Sequence, residues 1–311
     1  MPTSAWPTAV GLAGGIGLDA LLGDPRRGHP VAAFGAVAAA TERLMHRDSR
    51  AVGTAYAGAL ALLVAGAGVG LNRATRTPFQ RAMVTAAATW VVVGGTTLRR
   101  EAEVMRRLLA TGDVDAARGR LSHLCGRDPT TLDVLGLARA TVESVAENTS
   151  DAVVGPLVWG AVGGVPGLLA YRAVNTLDAM VGHRSERYAR FGWAAARLDD
   201  VANLAPARLT AVLAVALAPA VGGRPRAALR VWRRDGRKHP SPNAGPVEAA
   251  FAGALGRTLG GPLRYGTRVE ERPLLGDGPA PEVADIARAA RLSVVVSLAA
   301  GGLAVAIRSL H

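Results

Sequence analysis

Apolar residues in this chain come in long uninterrupted blocks rather than in the alternation of half-buried strands. Residues 51–71, AVGTAYAGALALLVAGAGVGL, run without a charge. As a helix this block is long enough to cross roughly 30 Å of hydrocarbon. Residues 82–98, AMVTAAATWVVVGGTTL, form a second, slightly short block, and the intervening NRATRTPFQR carries three arginines. The pair predicts a transmembrane hairpin over 51–98. Residues 152–171, AVVGPLVWGAVGGVPGLLAY, are charge-free but interrupted by Pro156, Gly163, Gly164 and Pro166. They fit either a crossing or a re-entrant pair of half-helices, because broken backbone at membrane depth is tolerated when protein covers it. The block at 209–223 is short, 292–307 reads as a final span, and 5–22 is marginal.

The pattern therefore predicts an all-α, polytopic integral membrane protein, a single membrane domain over 1–311. It has four to six transmembrane or re-entrant helices, amphipathic loop helices in 99–151 and 172–208, and a further loop at 224–291. In the first of these loops, Asp128 is the expected N-cap and Pro129 the expected first helical residue. Leu132, Leu135, Val142 and Val145 follow at helical spacing, while Arg139, Glu143 and Glu147 step by four along another face. Residues 276–282, GDGPAPE, read as a linker before the last helix.

Composition agrees. Half of the residues are hydrophobic and 19% are charged, too apolar for an ordinary soluble domain and too charged for a purely lipid-embedded channel. The net charge is +12, and Lys238 is the only lysine. The cations lie between apolar runs and no nucleic-acid motif is present, so no nucleic acid is expected as a partner. If every block crosses, the loops 23–50, 99–151 and 224–291 share one side with 26 of the 36 Lys+Arg. The positive-inside rule makes that side cytoplasmic and leaves loop 172–208 outside. The location expected is the cell membrane, multi-pass, with lipid as the surrounding partner. Cys125 is alone, which excludes an intrachain disulfide and gives no support to a thiolate metal site. No Lys or Arg precedes Arg26 and Asp19 interrupts the first apolar run, unlike a cleavable signal peptide.

Five polar clusters flank the apolar blocks. In GDPRRGHPVAAFG (23–35), Asp24, Arg26, Arg27 and His29 fit a phosphate or Mg²⁺ site, or equally a loop whose arginines snorkel to headgroups. In GRDPTTLD (126–133), Arg127 can hold a phosphate bidentately, and Asp128 can simply cap a helix. In VESVAENTSDAVVGPL (142–157), a continuous helix would put Glu143, Glu147 and Asp151 in one sector, suited to Mg²⁺; an Arg139–Glu143 surface pair is the plainer reading. The stretch 171–209 holds Asn175, Asp178, Asp199, Asp200 and Asn203 interleaved with Arg184, Arg187, Arg190, Arg197 and Arg208. Those types suit a metal–nucleotide site or, equally, an interfacial amphipathic helix. In RKHPSPNAGPVEAAFAGALG (237–256), His239 can serve as a base and Asn243 with Pro246 fits a turn and helix start.

In order along the chain, GDPRRGHPV, LSHLCGRDPTTLD, VESVAENTSDAVVGPL, the 171–209 stretch, HPSPNAGPVEAAFAGALG and ERPLLGDG (271–278) resemble the adenosylcobinamide-phosphate synthase family of integral-membrane proteins. The resemblance implies a corrinoid substrate and an ATP-dependent ligase that forms a C–N amide bond. Aminopropanol, or its phosphate, would be joined to the free carboxylate of adenosylcobyric acid, giving adenosylcobinamide or its phosphate in cobalamin biosynthesis. Amine attack needs the carboxylate oxygen converted to a leaving group, so ATP and Mg²⁺ are expected. Under that chemistry Glu147, Asp151, Asp199, Asp200, His29 and His239 are the catalytic candidates. Asp24, Arg27, Arg127, Asn148, Asn175, Arg187, Arg197 and Asn243 are candidates for binding substrate or nucleotide. Glu143, Glu147, Asp151, Asp178, Asp199 and Asp200 are the candidate Mg²⁺ ligands. One reaction centre requires the clusters at 23–35, 126–151 and 171–209 on one side of the membrane, expected to be cytoplasmic; a re-entrant 152–171 allows that. Other cobalamin-pathway enzymes are conceivable partners. Competing readings are a membrane transporter, which should show internal pseudo-symmetry, a Mg²⁺-dependent membrane transferase, which should show a second acidic cluster of similar spacing, and a non-catalytic scaffold.

Overall fold

The computed structural model describes residues 6–25, 28–183, 185–265 and 268–310. Arg26, Arg27 and Arg184, all candidates above, lie outside the described residues. The chain divides into two compact units, one made of 1–94, 151–205 and 301–311 and the other of 95–150 and 206–300. Helices dominate both.

The first unit holds α1 (Trp6–Leu22), α2 (Pro30–Met45), α3 (Arg50–Ala74), α4 (Pro78–Val92), α8 (Gly155–Leu177) and α9 (Trp193–Ala202). The two apolar blocks of the expected hairpin form α3 and α4. Thr77 stops one helix and starts the next: its side chain accepts from the Gln80 N–H while the Gln80 side chain caps Thr77 in return, and Pro78 supplies the fixed φ of the first helical position. Helix α1 packs closely on α4. At Gly11 and Gly15 an added Cβ would collide with Thr85 and Thr89, the small-residue notch that lets helix backbones approach without polar glue.

The second unit holds α5 (Gly95–Ala110), α6 (Val114–Leu121), α7 (Val134–Thr149), α11 (Pro225–Asp235), α12 (Ala244–Leu255) and a two-stranded antiparallel hairpin, β1 (Leu259–Tyr265) with β2 (Arg268–Leu275). The hairpin is an addition to the all-helical expectation. Helices α10 (Leu204–Ala216) and α13 (Val283–Ser309) belong mainly to the second unit, with Leu204–Ala205 and residues 301–309 counted in the first. Helix α7 starts later than expected. Asp133, not Asp128, is its N-cap, accepting from the Gly136 N–H at 2.7 Å. Asp128 instead closes a local turn by accepting from the Thr130 N–H and hydroxyl. An Asp-Pro pair serves turns as well as helix starts.

Three helical stretches, Arg50–Ala74, Val134–Gly182 and Val283–Ser309, are long and apolar enough to cross a membrane. The middle one is not a straight rod. A π-turn at Ser150–Val154 precedes α8, and α8 breaks at Gly164, whose φ of 59° and ψ of −144° lie outside helical space. There the chain reverses. Gly167 abuts the Trp159 carbonyl and Gly155 abuts the Tyr171 hydroxyl, with no room for a Cβ at either glycine. Residues 151–177 are thus a helical hairpin with both ends on the same side of its turn.

Candidate active-site clusters

In the first unit the hairpin ends gather polar groups from four segments. The Tyr171 hydroxyl, almost fully buried, shares its proton between the Asn203 side-chain oxygen at 2.7 Å and the Asp151 carbonyl at 3.1 Å. Asp199 receives one amide on each oxygen, Asn175 Nδ2 at 3.3 Å and Asn203 Nδ2 at 3.0 Å. Those two amides orient the carboxylate. Arg172 has Asp24 and Asp151 among its charged neighbours, which brings the 23–35 segment to the same end of the hairpin. Asp178 opens the π-turn Asp178–Gly182 and packs against Gly182. Asp200 accepts from Arg197 at 3.1 Å on the outer face of α9. Arg187 is farther from this group: it donates to the buried Glu42 at 2.7 Å, joined there by the Tyr188 hydroxyl. His29 is the N-cap of α2, its Nδ1 accepting from the Val31 N–H at 3.2 Å.

The second unit builds a denser cluster from α7, α12, β1, β2 and the loops before α7 and α12. Arg127 donates to Glu143 at 2.6 Å, and the Gly260 N–H donates to the other Glu143 oxygen at 2.7 Å. Both side chains are buried, so Glu143 is a locked internal carboxylate rather than half of a surface pair with Arg139. Glu147, one turn on, has Arg272, Arg127 and Glu143 as charged neighbours, yet its side chain remains open to solvent. Arg272 on β2 donates to His239 Nε2 at 2.8 Å, which leaves the ring proton on Nδ1, facing the Ser241 carbonyl at 3.4 Å. Glu248 lies 3.8 Å from His239. Burial, then the nearby Glu143 and Glu147 charges, raise its acid well above the usual carboxyl range. Asn243 accepts from Arg208 at 2.7 Å, and Asn148 donates to the Ser144 carbonyl at 2.9 Å.

Several expected roles change with these contacts. The six carboxylates expected around Mg²⁺ divide between the units, Glu143 and Glu147 in one and Asp151, Asp178, Asp199 and Asp200 in the other. Among the described residues no three His, Cys, Asp or Glu side chains form a metal-ligating group. The α-helical register that would align Asp151 with the two glutamates ends at Thr149, where the π-turn begins. His239 presents Nε2 to a guanidinium, which engages the lone pair a general base needs. Glu248, Arg272, Tyr171 and Arg172 were not singled out from sequence. A solitary glutamate inside the apolar run AGPVEAAFAGAL is a readable signal, because a carboxyl among alkyl groups is expensive.

Residues 12–293 match the family model described as CobD/Cbib protein. The chain is 56% identical over 306 residues to the Cobalamin biosynthesis protein CobD of Mycobacterium tuberculosis, covering 98% of this chain and 97% of the relative. It is 46% identical to that of Chromobacterium violaceum over 281 residues, 88% of each chain, and 43% identical to that of Rhodobacter capsulatus over 284 residues, again 88% of each. No solved structure matches.

Proposed function

Because the chain belongs to the CobD/Cbib protein family, whose relatives work in cobalamin biosynthesis, we propose that it is an adenosylcobinamide-phosphate synthase. It is a membrane ligase that joins aminopropanol or its phosphate to the free carboxylate of adenosylcobyric acid at the expense of ATP. The observation that carries this reading is that the family match runs through residues 12–293 and so includes every residue of both polar clusters. We place the protein in the cell membrane as a multi-pass chain with its reactive groups toward the cytoplasm.

The reaction sets the demands. Phosphoryl or adenylyl transfer from ATP to a carboxylate oxygen of the substrate forms an O–P bond, breaks a P–O bond of ATP with release of ADP or pyrophosphate, and turns that oxygen into part of a leaving group. The amine nitrogen then attacks the carboxyl carbon, the C–O bond to the phosphate breaks, and the amine gives up a proton. In the second unit, Glu147 is the group we assign to take that proton, because it alone of the clustered Glu143, Glu147 and Glu248 is exposed. Arg127 and Arg272 suit anionic oxygens through planar guanidinium donors, although Arg127 spends one nitrogen on Glu143. In the first unit, Asp199 fits a magnesium ion, since Mg²⁺ is commonly held by one or two carboxylates with phosphate oxygens completing the shell; Asn175 and Asn203 fix that carboxylate in place. Mg²⁺ bound there would neutralise nucleotide phosphates. Asp24 and Asp151 are the further acidic candidates, beside Arg172.

The test uses purified protein in detergent with adenosylcobyric acid, aminopropanol phosphate, Mg²⁺ and ATP, each omitted in turn. Amide product is expected only from the complete mixture. Product formed without ATP rules out the ligase, and no product from the complete mixture with either form of the amine rules out the assignment.

A further inference from the structure

Helix α11 carries a surface that the proposed chemistry does not use. Arg226, Arg230 and Arg233 follow one another at spacings of four and three, with Arg234 one turn beyond Arg230, so the four share one face, and Arg237 follows just past the end of the helix. The opposite face buries Ala228, Val231 and Asp235, packed toward α12. With Arg224 and Lys238, seven cations stand exposed within residues 224–238. Two acids answer them. Asp235 holds Arg234 at 2.6 Å and Lys238 at 2.7 Å, and Asp277 pairs with Arg234 and, at 4.0 Å, with Arg230. Arg224, Arg226, Arg233 and Arg237 have no acidic partner among the described residues. Four of the arginines and Leu229 line an open groove of about 490 Å³.

The place of this face in its unit identifies what it meets. Arg288 of α13 donates to the Val221 carbonyl at 2.9 Å, four residues before α11 begins. Arg288 and Arg291 are the last charges before the uncharged stretch 292–307, so they mark the polar end of a helix able to cross the bilayer. The start of α11 is therefore tied to headgroup depth.

We infer that the arginine face of α11 docks on the phosphates of anionic phospholipid headgroups. Its occupant is lipid rather than a soluble anion, because the face is open, runs the length of a helix and starts at the membrane end of α13. Several cations near an anionic surface attract it additively, and salt screens the attraction.

The full-length protein, delipidated in neutral detergent, is titrated with phosphatidylglycerol or phosphatidylcholine and the bound lipid counted by native mass spectrometry. Wild type should retain phosphatidylglycerol in preference to phosphatidylcholine by about tenfold or more, the scale expected for several cations at a charged surface. The triple variant R226Q/R233Q/R237Q should lose that preference at an unchanged melting temperature, because all three side chains are exposed and have no acidic partner among the described residues. The R73Q/R76Q variant, at the end of α3 and in the turn that follows it, should keep it. Preference retained in the triple variant, or lost equally in R73Q/R76Q, overturns the inference. So does displacement of the lipid by millimolar inorganic phosphate or ATP that binds wild type and not the triple variant, which would make the face a soluble-phosphate site.

Discussion

The Tyr171 hydroxyl lies 3.1 Å from the backbone carbonyl of Asp151, twenty residues earlier in the chain. In a straight helix those positions would stand about 30 Å apart. The contact exists because the chain reverses at Gly164, and it fastens the two arms of the hairpin at their open end. The same hydroxyl holds Asn203, which holds Asp199. Replacing Tyr171 with phenylalanine removes both bonds and strands a buried amide oxygen. A loss of about 1–3 kcal/mol of stability is expected, read as a lower melting temperature in detergent. An unchanged melting temperature would mean that the two arms are held by packing alone.

The reversal also fixes sidedness. Residues 152 and 179 lie at the open ends of the two arms of the hairpin, and the turn requires both on one side of the membrane. In a C125S background, A152C and A179C should react with a membrane-impermeant maleimide from the same side of sealed vesicles. Labelling from opposite sides would show that 151–177 crosses as a single rod. It would also restore the arrangement expected from charge counting, in which loop 172–208 is outside.

Gly164 is where that geometry is most exposed to mutation. Its φ of 59° with ψ of −144° is open to glycine and costly for other residues. G164A should destabilise the protein by about 1–3 kcal/mol through backbone strain. G163A, at a position with open space around its Cβ, should have a much smaller effect. Equal melting temperatures for the two variants would contradict the backbone assignment.

The sequence made α3 and α4 readable because uninterrupted apolar length and the Thr77-Pro78 punctuation both point one way. It misplaced the start of α7 because Asp128-Pro129 and Asp133 offer the same capping chemistry, and only packing chooses between them. The hairpin β1–β2 was illegible: Gly260, Gly261 and Pro262 break any alternation in the first strand. The polar residues themselves were found, but their grouping was not. Tyr171 meets Asp151 only through a reversal that one glycine permits, and Arg272 reaches His239 across 33 residues of loop, helix and strand. Glu248 was passed over within an apolar run whose other members all went to the core.

Glu248 makes a prediction with a definite sign. Its carboxyl is raised well above the ordinary range by burial and by Glu143 and Glu147, whereas in the unfolded chain it ionises near about 4.3. Above that pH the folded protein keeps a proton that the unfolded chain has lost. Stability therefore falls as pH rises, until the folded group ionises too. E248Q removes this dependence. Its melting temperature should gain on wild type progressively between mildly acidic and neutral pH. A constant difference across that range would show that Glu248 is ionised in the fold.

Glu143 and Glu147 are one helical turn apart and should fail in different ways. Glu143 is closed in by Arg127 and the Gly260 N–H. E143A leaves a buried guanidinium without its carboxylate and should cost about 3–5 kcal/mol of stability. Glu147 is exposed at the edge of the cluster, so E147A should cost far less stability than E143A. If Glu147 takes the amine proton, amide formation should drop by about 10²–10⁴-fold, the usual worth of a general base, and the loss should ease at high pH, where the amine reaches the site already deprotonated. Full turnover by a folded E147A would remove Glu147 from the chemistry. A low rate with no recovery at high pH would leave it a binding role and pass the proton to another carboxylate.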